Sequence, residues 1–173
     1  FAFQLLSEQK QIASDIRVEL ISLLARAAGP EGMVGGQAHD LEAEGKHLTL
    51  SELKILDVCK TGCLLSAPVS MACAVAGTAL KDRVLLENFA AHLGLLFQIT
   101  DDLLDEKGNL EDMGKMPGQD EKDHKSTFVT ILGVEEAEKY AEEEGALAKE
   151  ALAKLPFDST ILYELTDLLL HRK

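Results

Sequence analysis

Apolar residues recur at three- and four-residue spacing along almost the whole chain, and this period limits the fold more than any other feature. A chain patterned for helices cannot bury alternate residues as a half-buried strand does, so each run must lay one stripe against its neighbours. Composition agrees. Trp is absent, Gly and Pro number 13 and 4 in 173 residues, and Leu, Ala and Glu crowd the sequence. The expected fold class is all-α, a helical bundle in a single domain over residues 1–173.

Turn signals divide the pattern into segments. Ser14 is expected to cap a helix carrying Ile16, Leu20, Ile21, Leu23 and Leu24 that stops at Gly29-Pro30. A shorter helix spans about Met33 to Glu44, where Gly35 and Gly36 cost stability unless another helix or a ligand approaches closely. Thr49-Leu-Ser-Glu52 has the form of a capping box and starts a helix reaching about Lys60. Gly62 and Pro68 predict a break or kink within the stretch Cys63 to Gly77. A long helix follows over Lys81–Asp105, then a loop from Glu106 to about Asp123 with Gly108, Gly114, Pro117 and Gly118. Helices resume at Ser126–Leu132, Val134–Leu155 and Asp158–His171. The opening Phe1-Ala-Phe-Gln-Leu-Leu-Ser7 starts in mid-pattern without Met, so residues are expected upstream. Their absence is expected to leave apolar side chains such as Leu93, Leu96 and Ile99 exposed.

Net charge is −13, and from Asp101 to Gly145 there are 15 acids against 5 Lys, so most of the excess lies in a quarter of the chain. Such a surface repels a polyanion, which argues against nucleic-acid binding. The longest uncharged stretch, Thr61 to Leu80, contains Gly62, Pro68 and Gly77 and reads as buried helix, with no stable membrane insertion. Cys59, Cys63 and Cys73 match neither a disulfide framework nor a zinc site and are expected as reduced core thiols, in keeping with a cytoplasmic protein.

The chemistry concentrates at Phe97-Gln-Ile-Thr-Asp-Asp-Leu-Leu-Asp105. On a helix Gln98, Asp101, Asp102 and Asp105 fall within an arc of about 100°, so three carboxylates and an amide share a face. Anions so close need a counter-charge, and oxygen ligands with room for water and phosphate suit Mg²⁺. The alternative is a solvated acidic helix end. Lys115, Lys125 and, at the expected helix break, Lys60-Thr61 place cations where a diphosphate held by metal on its other side would need them. For Lys60 the plain alternative is an exposed lysine at a helix end.

Taken together, Gly32-Met-x-x-Gly-Gln37-x-x-Asp40, Lys60-Thr61, Phe97-Gln98-x-x-Asp101-Asp102-x-x-Asp105, Gly114-Lys115-x-x-Gly118-x-Asp120 and Lys125-x-Thr127 resemble, in order and spacing, the short-chain trans-isoprenyl diphosphate synthases, most closely the bacterial farnesyl diphosphate synthases. The resemblance implies the C-terminal part of an all-α bundle around a deep cavity, its N-terminal helices missing from this sequence. Such enzymes ionise an allylic diphosphate, join it to isopentenyl diphosphate and lose a proton, giving farnesyl, geranyl or geranylgeranyl diphosphate. Carried over by position, Asp101, Asp102 and Asp105 would ligate Mg²⁺, Lys60 and Lys115 would hold the allylic diphosphate with Lys125 in support, and Thr61 and Gln98 would lie beside the reacting carbons. The intact protein is expected to be a cytoplasmic homodimer.

The family's first aspartate-rich motif and the basic residues that receive isopentenyl diphosphate have no counterpart, so this chain alone is expected to be inactive. Glu106 and Asn109 also differ from the apolar residue and the acid common after the second motif. Two rivals stand beside this reading. A terpene cyclase would carry an Asn/Ser/Glu motif where this sequence has DDxxD. A non-catalytic helical subunit or interaction module would keep the motif as a relic.

Overall fold

The structure, a computed structural model, describes residues 1–107 and 125–172. Among the described residues the secondary structure is helical throughout, as the periodicity requires. The elements are α1 (Ala2–Glu8), α2 (Ser14–Ala28), α3 (Met33–Ala43), α4 (Leu50–Asp57), a π-helical turn (Val58–Gly62), α5 (Cys63–Ala76), α6 (Leu80–Lys107), α7 (Phe128–Leu132), α8 (Val134–Ala153) and α9 (Thr160–Leu170).

Helix α6, about 42 Å long at 1.5 Å per residue, is the axis on which the rest is hung. It packs most extensively on α8 and also meets α5, α7, α9 and the π-turn, while α2 lies along α5 and α3 crosses the π-turn. Phe89, Ala90, Leu96, Ile99 and Leu103 make its buried stripe at the three- and four-residue spacing that one face demands. The facing stripe of α8 is mostly small: Ala137, Ala141, Ala148 and Ala151 are all buried, which lets the two helices approach closely. Two core clusters result, one around Leu53, Leu96, Ile99, Phe128 and Ala141, the other around Phe89, Ala148 and Leu152. Between them Glu144 is buried, with its Oε2 2.6 Å from His92 Nδ1 across the α6–α8 seam.

Several sequence expectations change here. Leu96 and Ile99 are fully buried and Leu93 packs against both clusters, because α8, α7 and α9 of this same chain supply their partners. The apolar side chains left exposed lie elsewhere, among them Val58, Leu65 and Val75 on the helix after Asp57, and Ile161 and Leu168 on α9. Ser14 does not cap α2. Ala13 occupies that position, and the Ser14 hydroxyl instead accepts from Arg17 Nη2 at 3.0 Å. The capping box at Thr49–Glu52 forms as expected, with Thr49 N donating to Glu52 Oε2 at 2.8 Å and Glu52 N to Thr49 Oγ1 at 3.3 Å.

No break follows Lys60. The backbone stays helical from Leu50 to Ala76 through Pro68, and the irregularity is the π-turn, one widened coil in place of a kink. This run is long and apolar enough to cross a membrane by length and composition; it packs on α2 and α6, but in α5 only Ala67 and Cys73 are buried, so the stretch from Thr61 is a partly exposed helix and not the buried one expected. Helix α6 reaches Lys107, two residues beyond the expected end, α7 begins at Phe128 with Thr127 as its cap, and Gly133 (φ +81°) separates α7 from α8. The three cysteines are free, Cys73 buried and Cys59 and Cys63 partly exposed.

Candidate functional site

A π-turn holds one more residue in its coil than an α-turn, so side chains beyond it are rotated relative to the helix before it, and such turns recur at functional sites. Here it turns Lys60 towards α3 and Thr61 towards α6. Lys60 Nζ lies 2.7 Å from Asp40 Oδ2, and Thr61 Oγ1 donates to Gln98 Oε1 at 3.3 Å. The approach of α3 is permitted by glycine: a Cβ on Gly36 would stand 2.3 Å from the Lys60 nitrogen and 2.4 Å from its Cα. The close contact expected from the paired glycines of α3 is therefore a backbone-to-backbone crossing on the residue that presents the lysine.

From Gln98 the hydrogen bonds continue. Its Nε2 donates to Asp102 Oδ1 at 3.0 Å, and the Phe128 amide donates to Asp102 Oδ2 at 2.8 Å, so the acidic end of α6 is fastened to the start of α7. On the same face Asp101 Oδ1 accepts from Arg172 Nη2 at 3.0 Å, and the Arg172 guanidinium lies over the Phe97 ring, 4.8 Å from its centroid. The segment before α7 is tied down by Ser126, whose Oγ accepts from the Leu48 amide at 3.0 Å and donates to the Lys46 carbonyl at 3.2 Å. That brings Lys125 to the same space. The result is a cavity of about 310 Å³ whose wall includes Asp40, Asp57, Lys60, Thr61, Gln98, Asp101, Asp102 and Lys125.

The sequence-derived candidates therefore converge in part. Lys60, Thr61, Gln98, Asp101, Asp102 and Lys125 line one cavity. Asp105 is buried one turn further along α6 and does not line it. Lys115 lies outside the described residues. The three acids differ in situation: the Asp101 side chain is half exposed, whereas Asp102 and Asp105 are buried and Asp102 uses both oxygens on protein donors. Among the described residues no three His, Cys, Asp or Glu side chains form a metal-holding group by themselves. One or two carboxylates completed by phosphate oxygens and water is the coordination Mg²⁺ favours, so the donor set fits a magnesium–diphosphate unit better than a bare ion.

Two participants escaped the reading of the sequence. Arg172 carried no motif. Asp57 left a signal that went unused: it follows Leu53 by four residues and Leu56 by one, an acid on the apolar stripe of α4, and all three are buried. Burial first, then the charge of Asp102, pushes its carboxyl up to about 8; Lys60 opposes this and Asp40 adds a smaller push.

Comparison with known proteins identifies the family. The polyprenyl synthetase family profile matches residues 1–159. The farnesyl diphosphate synthase of Geobacillus stearothermophilus is 46% identical over 136 residues, covering 78% of this chain and 46% of that protein. The farnesyl diphosphate synthase of Escherichia coli K12 is 37% identical over 177 residues, covering 99% of this chain and 59% of its own length. A crystal structure of the Helicobacter pylori geranyltransferase complexed with magnesium and isoprenyl diphosphate superposes with a TM-score of 0.83 at 34% identity, over 98% of this chain and 55% of that one. The chain spans about half the length of the curated relatives it matches. Sequence profile, relatives and backbone lead to one conclusion, that the chain belongs to the polyprenyl synthetase family.

Proposed function

We propose that this chain forms the C-terminal part of a polyprenyl synthase domain and carries one side of a trans-prenyltransferase site. The reaction is condensation of an allylic diphosphate with isopentenyl diphosphate, with farnesyl diphosphate as the leading product. The observation that carries the reading is the cavity in which Lys60 and Lys125 share a wall with Asp101 and Asp102. Cations that contact phosphate oxygens and acids that hold metal belong on opposite sides of one diphosphate.

In this reading Lys60 leaves or shares its Asp40 partner to bind the allylic diphosphate, with Lys115 and Lys125 beside it. Asp101 and Asp102, with Asp105 behind them, hold Mg²⁺, which when bound neutralises the charge that builds on the departing diphosphate. Thr61 and Gln98 lie together on the cavity wall. In this reading the lone pairs of the Thr61 hydroxyl, whose proton goes to Gln98, stabilise the carbon that becomes positive as its bond to diphosphate breaks, and Gln98 orients that hydroxyl. The isopentenyl double bond then forms the new carbon–carbon bond and a proton is lost. The same reading makes the intact protein a cytoplasmic homodimer.

Thermal melts test the site itself. Mg²⁺ alone should raise the melting temperature little, and Mg²⁺ with inorganic diphosphate should raise it more, because ligand and metal complete each other's coordination. Equal shifts with and without diphosphate would remove the basis of the proposal. This chain has one aspartate-rich motif, and each missing charge-stabilising contact is worth roughly 3–4 kcal/mol. Incubation with isopentenyl and dimethylallyl diphosphates and Mg²⁺ is therefore expected to yield no C10 or C15 product, and robust product would refute the assignment of a half-site.

A further inference from the structure

Arg172 has no task in the reaction outlined above, yet α6 holds it in three ways. Its Nη2 donates to Asp101 Oδ1 at 3.0 Å and reaches the Phe97 carbonyl at 3.5 Å, and its guanidinium lies over the Phe97 ring, 4.8 Å from the centroid. Phe97 precedes Asp101 by one helical turn, so ring, carbonyl and carboxylate belong to one rigid element and a single planar group spans all three. The placement leaves the Arg172 Nε buried without a hydrogen-bond partner, a cost that calls for an explanation beyond the fold. Arg172 also comes from outside the site. It borders a separate cavity of about 310 Å³ with Thr100, Leu103 and Leu104, whereas Asp101 stands on the wall of the first cavity with Lys60 and Lys125. The Asp101 side chain is 48% exposed against 24% for that of Arg172, so without the guanidinium the carboxylate would turn freely among its rotamers.

We propose that Arg172 is a positioning residue: it holds one oxygen of Asp101 from outside the cavity and thereby aims the other at the Mg²⁺ bound with the diphosphate. This rests on the function proposed above. A metal-ligating carboxylate is commonly held by such an outer partner, whose loss weakens metal binding roughly 10- to 100-fold. The positive charge of Arg172 works against a nearby cation. That charge is delocalised and partly in water, where the repulsion is small, so orientation outweighs it.

Binding of inorganic diphosphate to the 173-residue chain, followed by calorimetry over a range of Mg²⁺ concentrations, tests the role. Arg172→Met keeps an apolar chain over Phe97 and removes the donor. Its midpoint in Mg²⁺ should lie about tenfold or more above that of the unaltered chain, and its deficit in diphosphate affinity should close as Mg²⁺ is raised. Arg172→Lys keeps the charge without the planar fork and should raise the midpoint by about threefold or more. Without ligand, both variants should melt within about 2 °C of the unaltered chain, because a partly exposed ion pair adds little to stability. An unmoved midpoint in either variant overturns the proposal, and so does a lower one, which would show the guanidinium competing with the metal. A deficit that persists at every Mg²⁺ concentration would mean direct contact with the diphosphate, and a larger fall in the ligand-free melt would make Arg172 an anchor for α9. Either result also overturns the proposal, and in all these cases the proposed function stands. Failure of the unaltered chain to bind magnesium diphosphate at all overturns both.

Discussion

Gly36→Ala is expected to lower the melting temperature by roughly 6–12 °C and to abolish Mg²⁺-dependent diphosphate binding. A Cβ at position 36 would lie 2.3 Å from the Lys60 nitrogen and 2.8 Å from its Cβ. Backbone cannot swing aside as a side chain does, so α3 must back away from the π-turn by more than an ångström. Overpacking of that kind costs about 3 kcal/mol, at the upper end of its usual range, which in a chain of this size corresponds to the stated shift. The same movement parts Asp40 from Lys60, a contact of 2.7 Å. Gly62→Ala is the control, since a Cβ there meets only ordinary contacts at 3.7 and 3.9 Å. It should be neutral or slightly stabilising, as alanine is favoured over glycine within helices. Indistinguishable behaviour of the two variants would show that the crossing of α3 over the π-turn does not fix the lysine.

Asp101→Ala, in a form of the protein that turns over, should reduce turnover by on the order of 10²-fold or more, the usual effect of removing a group that stabilises transition-state charge. In the 173-residue chain the corresponding result is loss of the additional melting shift produced by diphosphate with Mg²⁺. The folded structure should survive, because the Asp101 side chain is half exposed and its ion pair with Arg172 lies at the edge of the bundle. Asp120→Asn, outside the described residues, should be far milder. Equal losses at both positions would mean that the acidity of the region acts as a whole.

What could be read from the chain beforehand followed the reach of each signal. Periodicity located the helices, and the Thr49–Glu52 box marked a boundary that the structure reproduces, because a capping box is decided within a few residues. The π-turn was not legible. Gly62 and Pro68 suggested a break, but contacts with α2, α3 and α6 keep the whole run helical and shift the irregularity to Val58–Gly62. Burial of Leu96 and Ile99 was misjudged for a similar reason. Their partners, Phe128 and Ala141 among them, are distant in sequence and only the tertiary arrangement brings them near. At the site, spacing sufficed to put Gln98, Asp101 and Asp102 on one face of α6. It gave no indication that Asp102 would be enclosed by protein donors while Asp101 stayed accessible, since that difference depends on where Phe128 and Arg172 come to rest.

The hydrogen bonds from Phe128 to Thr61 have a fixed direction, and its origin is the main chain. A backbone amide can only donate, so the Phe128 N–H obliges Asp102 to accept. The other Asp102 oxygen draws the amino end of Gln98, which turns the Gln98 carbonyl towards Thr61. Thr61 must then give its proton to Gln98, and the lone pairs of its hydroxyl are left pointing away from that bond. An amide at position 102 would present a donor to one of its two donor neighbours and unset the sequence. The polarity of a hydroxyl in the π-turn is thus dictated by the first peptide N–H of a five-residue helix that contributes no side chain to the cavity, a rectifier made of three side chains and one peptide group.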